Sequence, residues 1–262
     1  ILEDFRTEAP RARCLTEGWP EGSFQGPDLS YDGRRVLFAY CRHYAHVAGM
    51  QKVDKEALPE DAFYSLYEMD LDGANVRRLT RGRYDDFDAR YLPGGPIVFL
   101  STRKGRFLRC DAESAQATTR ATLPDSYVRC GGDAVRPCAV FTLHTMELDG
   151  SDLRPISAFE NFEWTPSVAG DGRVLYARWD YIDRFNGPFM SLWSTNPDGA
   201  NPQLVYGNFT KAPQCVFEAR SIPGSTKLVF TASAHHSITG GSLALLDRAQ
   251  GTEGERPLAR IS

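Results

Sequence analysis

The sequence predicts an all-β fold made of about four repeats of a four-stranded antiparallel unit. The first observation is the stretch 163–199, where β-branched and aromatic residues alternate with the turn formers Gly-Asp-Gly and Asn-Pro-Asp-Gly. The second is that both halves of this stretch, the turn half and the Asp-Gly half, recur in order along the chain. Four-stranded units repeated every 55 to 75 residues or so are the signature of a β-propeller.

The repeats follow one another through a single predicted domain covering residues 1–262. Their approximate limits are 25–80, 83–157, 160–206 and 214–262. In the third repeat the predicted strands are 163–168, 174–179, 189–195 and 203–206. Four blades make the whole ring, or they belong to a larger ring of six or seven blades; the sequence leaves this open. Arg-Cys-Leu-Thr at 13–16 resembles the Arg-Leu-Thr that ends the first repeat, as if it closed a preceding blade.

Composition argues against several function classes. The formal net charge of −4 gives no overall basic field that would attract nucleic acid or an anionic membrane. No apolar run reaches the roughly 18 residues that a membrane-spanning helix needs. The opening Ile-Leu-Glu-Asp has no signal peptide, which fits a mature form or a fragment. We therefore expect neither nucleic acid nor a membrane span.

The six cysteines show no CxxC pair and no CxxCH motif. Zinc-ribbon and c-type haem attachment signatures are therefore absent, and we predict no cofactor held by this chain alone. A bound metal, or haem supplied by a partner, stays open. Cys130 and Cys138 flank a glycine-rich loop, so they form a local disulfide or remain buried free cysteines.

Propeller geometry predicts where functional residues meet. Loops joining strands two and three emerge on one face, and the first strands line the central channel. Aligning the repeats puts charged or His residues at equivalent strand-two ends, which predicts a ligand-binding rim. Its members are Arg42, His43, Arg103, Asp180, Arg184, His235 and His236. The same alignment places a second set at the mouth of the channel: Gly26, Asp88, Glu163, Thr165 and Glu218.

Two motifs of the rim have both a functional and a structural interpretation. His235 or His236 can bind a metal or an anion or act as a general base; otherwise one of them caps the strand–loop junction. Neighbouring side chains in extended chain point in opposite directions, so only one of the pair faces a site. Asp180 and Arg184 can contact a polar ligand, but an internal Asp–Arg pair that pins the loop is the better interpretation.

The acidic residues at the channel mouth are also ambiguous. Asp85, Asp86 and Asp88 can bind a hard cation through oxygen ligands. Their spacing lacks the glycine and terminal Glu of a calcium loop, which favours a solvated acidic entry to the strand. Glu163 and Glu218 come from neighbouring repeats and could form an acid–base pair, but the sequence gives no separation and this interpretation is disfavoured.

Several longer motifs resemble one bacterial family. They are YDDFDARYLPGGPIVFLSTRKG, FTLHTMELDGSDLRPIS, EWTPSVAGDGRVLYARWDYIDR, LWSTNPDG and HHSITGGSLALLD. The family shares the middle, propeller domain of the hydrazine synthase alpha subunit, and the resemblance covers roughly residues 22–247. The Asp-Gly repeats also look like the Tol-type periplasmic propellers, a broader similarity.

In hydrazine synthase, the resemblance implies, this propeller lies between haem-bearing parts and helps enclose a haem site. The present chain has no CxxCH, so the resemblance carries covalent haem to none of its residues. The family pattern often shows His where this chain has Thr165, which removes one potential metal ligand.

The function predicted on these grounds is a non-catalytic binding or scaffold domain of an exported bacterial protein, periplasmic or extracellular. Its expected partners are other protein domains or subunits, or a small polar ligand. The alternative is a part of a multi-haem or metal-dependent oxidoreductase whose haem comes from another domain or subunit. A metal-dependent hydrolase or lactonase is less well supported, and propellers host binding proteins and enzymes alike.

Overall fold

The computed structural model describes residues 1–47, 53–54, 57–103, 107–108, 138–159, 161–180, 189–235 and 240–262. Within these ranges the regular structure is almost entirely β, with two three-residue 3-10 turns at Glu60–Ala62 and Arg248–Gln250. The strands are β1 (Leu2–Glu3), β2 (Arg11–Ala12), β3 (Gly22–Leu29), β4 (Arg35–Arg42), β5 (Ser65–Asp70), β6 (Arg77–Arg78), β7 (Asp86–Tyr91), β8 (Ile97–Ser101), β9 (Phe107–Leu108), β10 (Cys138–Ala139), β11 (Thr142–Met146), β12 (Arg154–Pro155), β13 (Glu163–Val168), β14 (Val174–Trp179), β15 (Met190–Thr195), β16 (Gln203–Tyr206), β17 (Cys215–Ser221), β18 (Leu228–Ser233), β19 (Ser242–Leu246) and β20 (Leu258–Arg260).

The strands build one antiparallel four-stranded unit for each predicted repeat. These units are β3-β4-β5-β6, β7-β8-β11-β12, β13-β14-β15-β16 and β17-β18-β19-β20. A parallel contact between Met190 and Cys215 joins β15 to β17, so the third and fourth units share one eight-stranded sheet. The pairs β1-β2 and β9-β10 form separate two-stranded sheets. The all-β prediction is confirmed, while ring closure and the total number of blades stay predictions.

Contacts divide the chain into two compact units, residues 1–87 and 88–262, and each is described by itself. We call them unit 1 and unit 2. Unit 1 contains the β1-β2 hairpin and the first sheet. Unit 2 contains the third and fourth repeats and most of the second. The single-domain assignment over 1–262 stays a prediction.

The Asp-Gly turns that follow the third strands form as their sequences predict. In each, the aspartate Oδ1 accepts a hydrogen bond from the main-chain N–H two residues later, at 2.8–2.9 Å. The residue directly after each aspartate is a glycine with φ between 84° and 92°, a conformation that glycine adopts without steric cost. The aspartates are Asp72, Asp149 and Asp198.

The core of unit 2 lies between the third and fourth repeats. Inward-facing residues of neighbouring strands are fully or almost fully buried there: Leu175, Leu192, Tyr206, Phe230 and Leu246. Burying a large apolar side chain stabilises a fold by about 1.5–3 kcal/mol. Val216 and Ala219 of β17 belong to this layer, which therefore holds the bulge of the fourth repeat in a fixed position.

Unit 1 has an aromatic core of its own. The ring of Trp19 lies 5.1–5.8 Å from the rings of Phe24, Phe38, Tyr40 and Tyr67. Phe38 and Tyr40 are almost fully buried, whereas Phe24 is 41% exposed. One end of the aromatic cluster therefore opens to solvent.

Candidate functional site

The first strand of every repeat has one residue in the left-handed conformation at an equivalent position. The antiparallel register slips by one residue in β3, β13 and β17, which is the mark of a β-bulge. The backbone φ is 59° at Gly26, 52° at Asp88, 49° at Thr165 and 54° at Glu218. These are four of the residues that the repeat alignment assigned to the channel mouth. Glycine tolerates this conformation, whereas a residue with a Cβ atom is strained in it by about 1–2 kcal/mol.

Side chains at the bulges connect the third and fourth repeats. The main-chain N–H of Glu218 donates to Oγ1 of Thr165 at 2.9 Å. Close by, the hydroxyl of Ser167 donates to the carbonyl of Ala219 at 2.6 Å. The Glu218 side chain itself is exposed, and Thr231 approaches its Oε2 atom only to 3.5 Å. Its carboxylate is therefore accessible.

An arginine follows two residues after each of the two acidic bulge residues. Arg90 donates to Oδ1 of Asp88 at 2.6 Å and to the carbonyl of Ala89 at 2.7 Å. In the fourth repeat, Arg220 makes the corresponding bond to the carbonyl of Ala219 at 3.1 Å. The second and fourth repeats therefore share one arrangement, acid–Ala–Arg folded over a bulge.

Electrostatics link these groups across the repeats. Burial raises the pKa of the Asp88 carboxyl, Arg90 and Arg220 act in the opposite direction, and Glu218 raises it further. Arg90, Arg220 and Glu218 thus all lie within electrostatic range of Asp88. We call Asp88, Arg90, Thr165, Glu218 and Arg220 the bulge cluster. Glu218 and Arg220 are exposed, whereas the Asp88 and Arg90 side chains pair with each other and are only 19% and 12% exposed.

Glu163, which the sequence also assigned to the channel mouth, lies in the interior. It is 1% exposed. Its Oε2 atom accepts from the main-chain N–H of Leu143 at 2.8 Å, and its Oε1 accepts from the hydroxyl of Ser157 at 2.7 Å. These contacts tie β13 to β11 and to the segment that follows β12. The carboxylate satisfies a buried main-chain donor, which is a structural role.

Asp180 is paired with Arg178, an arginine outside the predicted rim. Arg178 donates from Nε to Asp180 Oδ1 at 2.8 Å, and its guanidinium lies between two aromatic rings. The distances from its Cζ to the ring centroids of Phe159 and Trp193 are 3.7 and 4.0 Å. Burial raises the pKa of the Asp180 carboxyl and Arg178 opposes the rise. The stacked pair fixes Asp180 at the end of β14.

His235 lies at the end of β18, beside the neighbouring repeat. Its main-chain N–H donates to Oε1 of Gln214 at 2.9 Å. Its ring centroid is 5.8 Å from that of Trp179, which is itself buried in the aromatic layer. The strand-two ends of the third and fourth repeats therefore meet at this contact.

The remaining predicted residues of unit 2 are placed only in part. Arg103 follows β8, and its main-chain N–H donates to a serine hydroxyl at 3.1 Å. Arg184 and His236 lie outside the described residues. The same holds for Cys130 and for the side chain of Cys138, so their proposed disulfide stays a prediction.

In unit 1, Arg42 and His43 line a surface cavity of about 350 Å³ together with Ser23, Cys41 and Tyr44. Arg42 makes a long ion pair, at 3.8 Å, with the partly exposed Asp61, and its Cζ lies 5.3 Å from the ring centroid of Tyr44. The main-chain N–H of His43 donates to a carbonyl at the start of β3 at 2.8 Å. Both predicted rim residues of the first repeat thus border one open cavity.

Two general features of the described residues bear on function. In this part of the chain, no group of three or more His, Cys, Asp and Glu side chains is placed to hold a metal ion. Nor does any helix here have the length and apolar character that a membrane crossing requires.

The acid–Ala–Arg pattern was available in the sequence and was overlooked. Asp-Ala-Arg at 88–90 and Glu-Ala-Arg at 218–220 occupy equivalent positions of two repeats. The alignment identified the acids as neighbours of the channel but did not assign a role to Arg90 or Arg220. The stacking of Arg178 between two rings had no comparable signal, because Phe159 and Trp193 come from separate elements.

Comparisons with known proteins identify the architecture. No protein-family model matches the chain, and no curated protein sequence does. Among solved structures, hydrazine synthase of Kuenenia stuttgartiensis superimposes with a TM-score of 0.63 at 15% identity, over 91% of this chain and 32% of the other. A TolB-type protein of Agrobacterium tumefaciens gives 0.52 at 13% identity, over 92% and 81%. Oligogalacturonate lyase of Vibrio parahaemolyticus gives 0.52 at 11% identity, over 92% and 54%.

The chain thus spans about a third of the length of the hydrazine synthase chain that it matches. At identities of 11–15% these likenesses concern the fold and not the activity. The resemblance inferred from the sequence motifs is confirmed at this level. The protein has the β-propeller fold found in hydrazine synthase and in TolB-type proteins.

Proposed function

We propose that the chain is a non-catalytic binding or scaffold module of an exported bacterial protein, located in the periplasm or outside the cell. The bulge cluster is the surface that contacts its ligand or partner. The module corresponds in this view to the middle, propeller domain of the hydrazine synthase alpha subunit.

One observation carries the proposal: three repeats place non-glycine residues where a glycine would be better for folding. The first repeat has Gly26 at this position, so the bulge itself needs no side chain. Asp88, Thr165 and Glu218 each retain a Cβ atom in the left-handed region, and the β-branched Thr165 suits it least. Strain of this kind, about 1–3 kcal/mol per residue, concentrates at functional sites. Thr165 accepts a hydrogen bond from Glu218 and Asp88 pairs with Arg90, but the exposed Glu218 side chain has no comparable contact and is the clearest candidate for a role other than folding.

The chemistry of the bulge cluster favours binding over catalysis. Its carboxylates and guanidinium groups alternate, which suits a polar ligand or a partner segment that carries charges of both signs. Two other candidate carboxylates, Glu163 and Asp180, are engaged in contacts within the fold. Glu163 accepts two hydrogen bonds in the interior, and Asp180 is held by Arg178.

The second candidate is a part of an oxidoreductase whose haem or metal is supplied by another domain or subunit. It is favoured by the TM-score of 0.63 with hydrazine synthase, which exceeds the 0.52 of the two other proteins compared above. The residues that would face such a group are the rim residues, with His235 beside Trp179.

Elemental analysis together with an absorption spectrum of the purified chain separates the two candidates. The binding module is expected to contain less than one equivalent of any transition metal and to show no haem band. Stoichiometric metal that is lost in the His235→Ala variant would overturn it and make the rim a metal site.

A titration with haemin completes the test. For a binding module, the spectrum of added haemin is the same in the wild-type chain and in His235→Ala. A shifted haem band that depends on His235 would favour the oxidoreductase. His144→Ala is the matched control, because that histidine is 1% exposed and packs within β11.

A further inference from the structure

We propose that the β1-β2 hairpin is the outer half of a blade, and that the apolar groove beside it binds the inner half. The inner half is an antiparallel pair of strands of the same repeat type, contributed by further polypeptide. This inference concerns assembly and does not depend on the bulge cluster.

The segment after β2 meets the first repeat as one blade meets the next. In unit 2, the carbonyl oxygen of Ile156, just after β12, lies 1.9 Å from where a Cβ atom on Gly199 would be. In unit 1, the carbonyl oxygen of Leu15, just after β2, lies 3.5 Å from the corresponding point on Gly73. Gly73 and Gly199 are equivalent glycines of the Asp-Gly turns. The hairpin thus takes the place of strands three and four of a preceding blade.

Arg13 fixes the hairpin in this position. Its guanidinium donates to the carbonyl oxygens of Leu71 and Asp72, at 2.8 and 3.2 Å, in the Asp-Gly turn of the first repeat. It also pairs with Glu3 of β1 at 2.9 Å. Two hydrogen bonds therefore hold Arg13 to the turn after β5, and the pairing with Glu3 links β1 to the same guanidinium.

The predicted outer strand at 13–16 needs one adjustment. The paired residues are Arg11–Ala12, and Arg13 to Thr16 form the segment that packs on the first repeat. The segment is still assigned to a preceding blade, but its strand pairing lies two residues earlier than predicted. Sequence similarity aligned the packing segment, which all repeats share, and not the short ladder.

One edge of β1 has no pairing in the described part of the chain. There, β1 pairs with β2 alone, whereas the third strands β5, β11, β15 and β19 each have a second strand and a fourth strand on either side. An open strand edge is a template for pairing with another strand.

An apolar groove of about 560 Å³ lies between the hairpin and the first sheet. Residues of the hairpin segment and of β3, β4 and β5 line it, among them Leu15, Phe24, Leu29, Val36, Phe38 and Met69. The open edge of a strand next to an apolar groove suits a strand pair with one apolar face. A small apolar ligand would leave the main-chain groups of that edge unpaired.

Burial shows that a layer is missing from this face. Phe24 is 41% exposed and Leu29 is 58% exposed. Phe24 lies two residues before the bulge. The residues at the same position in the third and fourth repeats, Glu163 and Val216, are only 1% and 2% exposed. One residue after the bulge, Pro27 is exposed although its fourth-repeat counterpart, Ala219, is 3% exposed. The first repeat therefore exposes to solvent a face whose equivalents in the later repeats are buried.

The test restores the missing strands from the protein's own sequence. Residues 214–241 contain strands one and two of the fourth repeat with the connection that leads into strand three. A second copy of this stretch is placed directly ahead of Ile1 in the full chain. We expect hydrogen exchange at the β1 amides to slow by about tenfold or more and the thermal midpoint to rise. Unchanged exchange at β1 would overturn the proposal.

Two variants and one control keep the experiment decisive. In the first, Phe230→Asp is made only in the added copy, which destroys its apolar face and should abolish the protection. In the second, Leu29→Asp in the groove should abolish it too, whereas Tyr31→Asp, at a residue that is 70% exposed and does not line the groove, should not. Protection that survives either of the first two changes would refute docking in the groove.

Sedimentation of the unaltered chain tests the competing occupant. The proposal expects a species whose association is not changed by Leu29→Asp. A dimer that Leu29→Asp dissociates would assign the groove to a second copy of the chain and overturn the proposal.

Discussion

Replacing Glu218 by glycine should make the protein more stable. Glu218 has a φ of 54°, a backbone conformation that glycine adopts freely. Its carboxylate is exposed and has one weak contact, from Thr231 at 3.5 Å, which is at the limit of a hydrogen bond. Its main-chain N–H bond to Thr165 remains in the variant. The change therefore removes strain and little else.

The magnitude follows from two opposing effects. Relief of the left-handed conformation contributes about 1–2 kcal/mol. The greater freedom of glycine in the unfolded chain costs about 0.4–1 kcal/mol. The net expectation is a gain of about 0.5–1 kcal/mol, or a rise of about 2 °C in Tm for a chain of this size.

Chemical denaturation of the wild type, Glu218→Gly and Glu218→Ala measures this difference. Glu218→Ala keeps the Cβ atom and its strain but loses the carboxylate, so its stability should stay within about 0.5 kcal/mol of the wild type. If both variants lose more than about 1 kcal/mol, the carboxylate stabilises the fold. The bulge cluster would then be structural, and the reasoning behind the proposed function would fail.

Three further outcomes are expected. Gly199→Ala should cost more than about 3 kcal/mol, because its Cβ would lie 1.9 Å from a carbonyl oxygen. The control is Gly172→Ala, at a glycine that is also left-handed but has nothing within 4 Å of its Cβ position, and it should cost about 1 kcal/mol. Equal losses of stability in denaturant melts would refute the clash. Glu163→Leu should lose about 1–3 kcal/mol, because the buried main-chain N–H of Leu143 loses its acceptor; an unchanged denaturation midpoint would contradict that role. Because the pKa of Asp88 is raised in the folded state, the folded protein binds that proton more tightly, so this residue's contribution to stability falls as pH rises from the ordinary value of 3.8 through the raised pKa. Melting curves of Asp88→Asn across acidic pH should lack this fall, and an identical pH profile in wild type and variant would be evidence against it.

Local signals in the sequence predicted the strands and turns well. The structure places β13, β14 and β16 at the predicted limits, 163–168, 174–179 and 203–206. These strands depend on residues only a few positions apart in the sequence. The Asp-Gly turns are closed by hydrogen bonds to the aspartate's own side chain. The same alignment also selected the four bulge positions, because a repeated unit repeats its backbone conformation.

Contacts between distant residues were not predictable in this way. Glu163 was assigned to an accessible position but satisfies a main-chain N–H of another sheet strand, twenty residues earlier. Asp180 pairs with Arg178, which is held between two rings, while its predicted partner Arg184 lies outside the described residues. Periodicity in the sequence gives the face on which a side chain lies, but it does not give the partner opposite.

The sequence by itself determined the all-β repeat architecture, the positions of the turns and the likeness to hydrazine synthase and Tol-type propellers. These features depend on residue spacing and turn chemistry, which are local. Only the tertiary structure decided which charged groups meet in the bulge cluster and that the amino-terminal hairpin leaves an apolar groove open beside the first repeat. Both depend on where separate strands come together, and burial, strain and an open strand edge are properties of that packing.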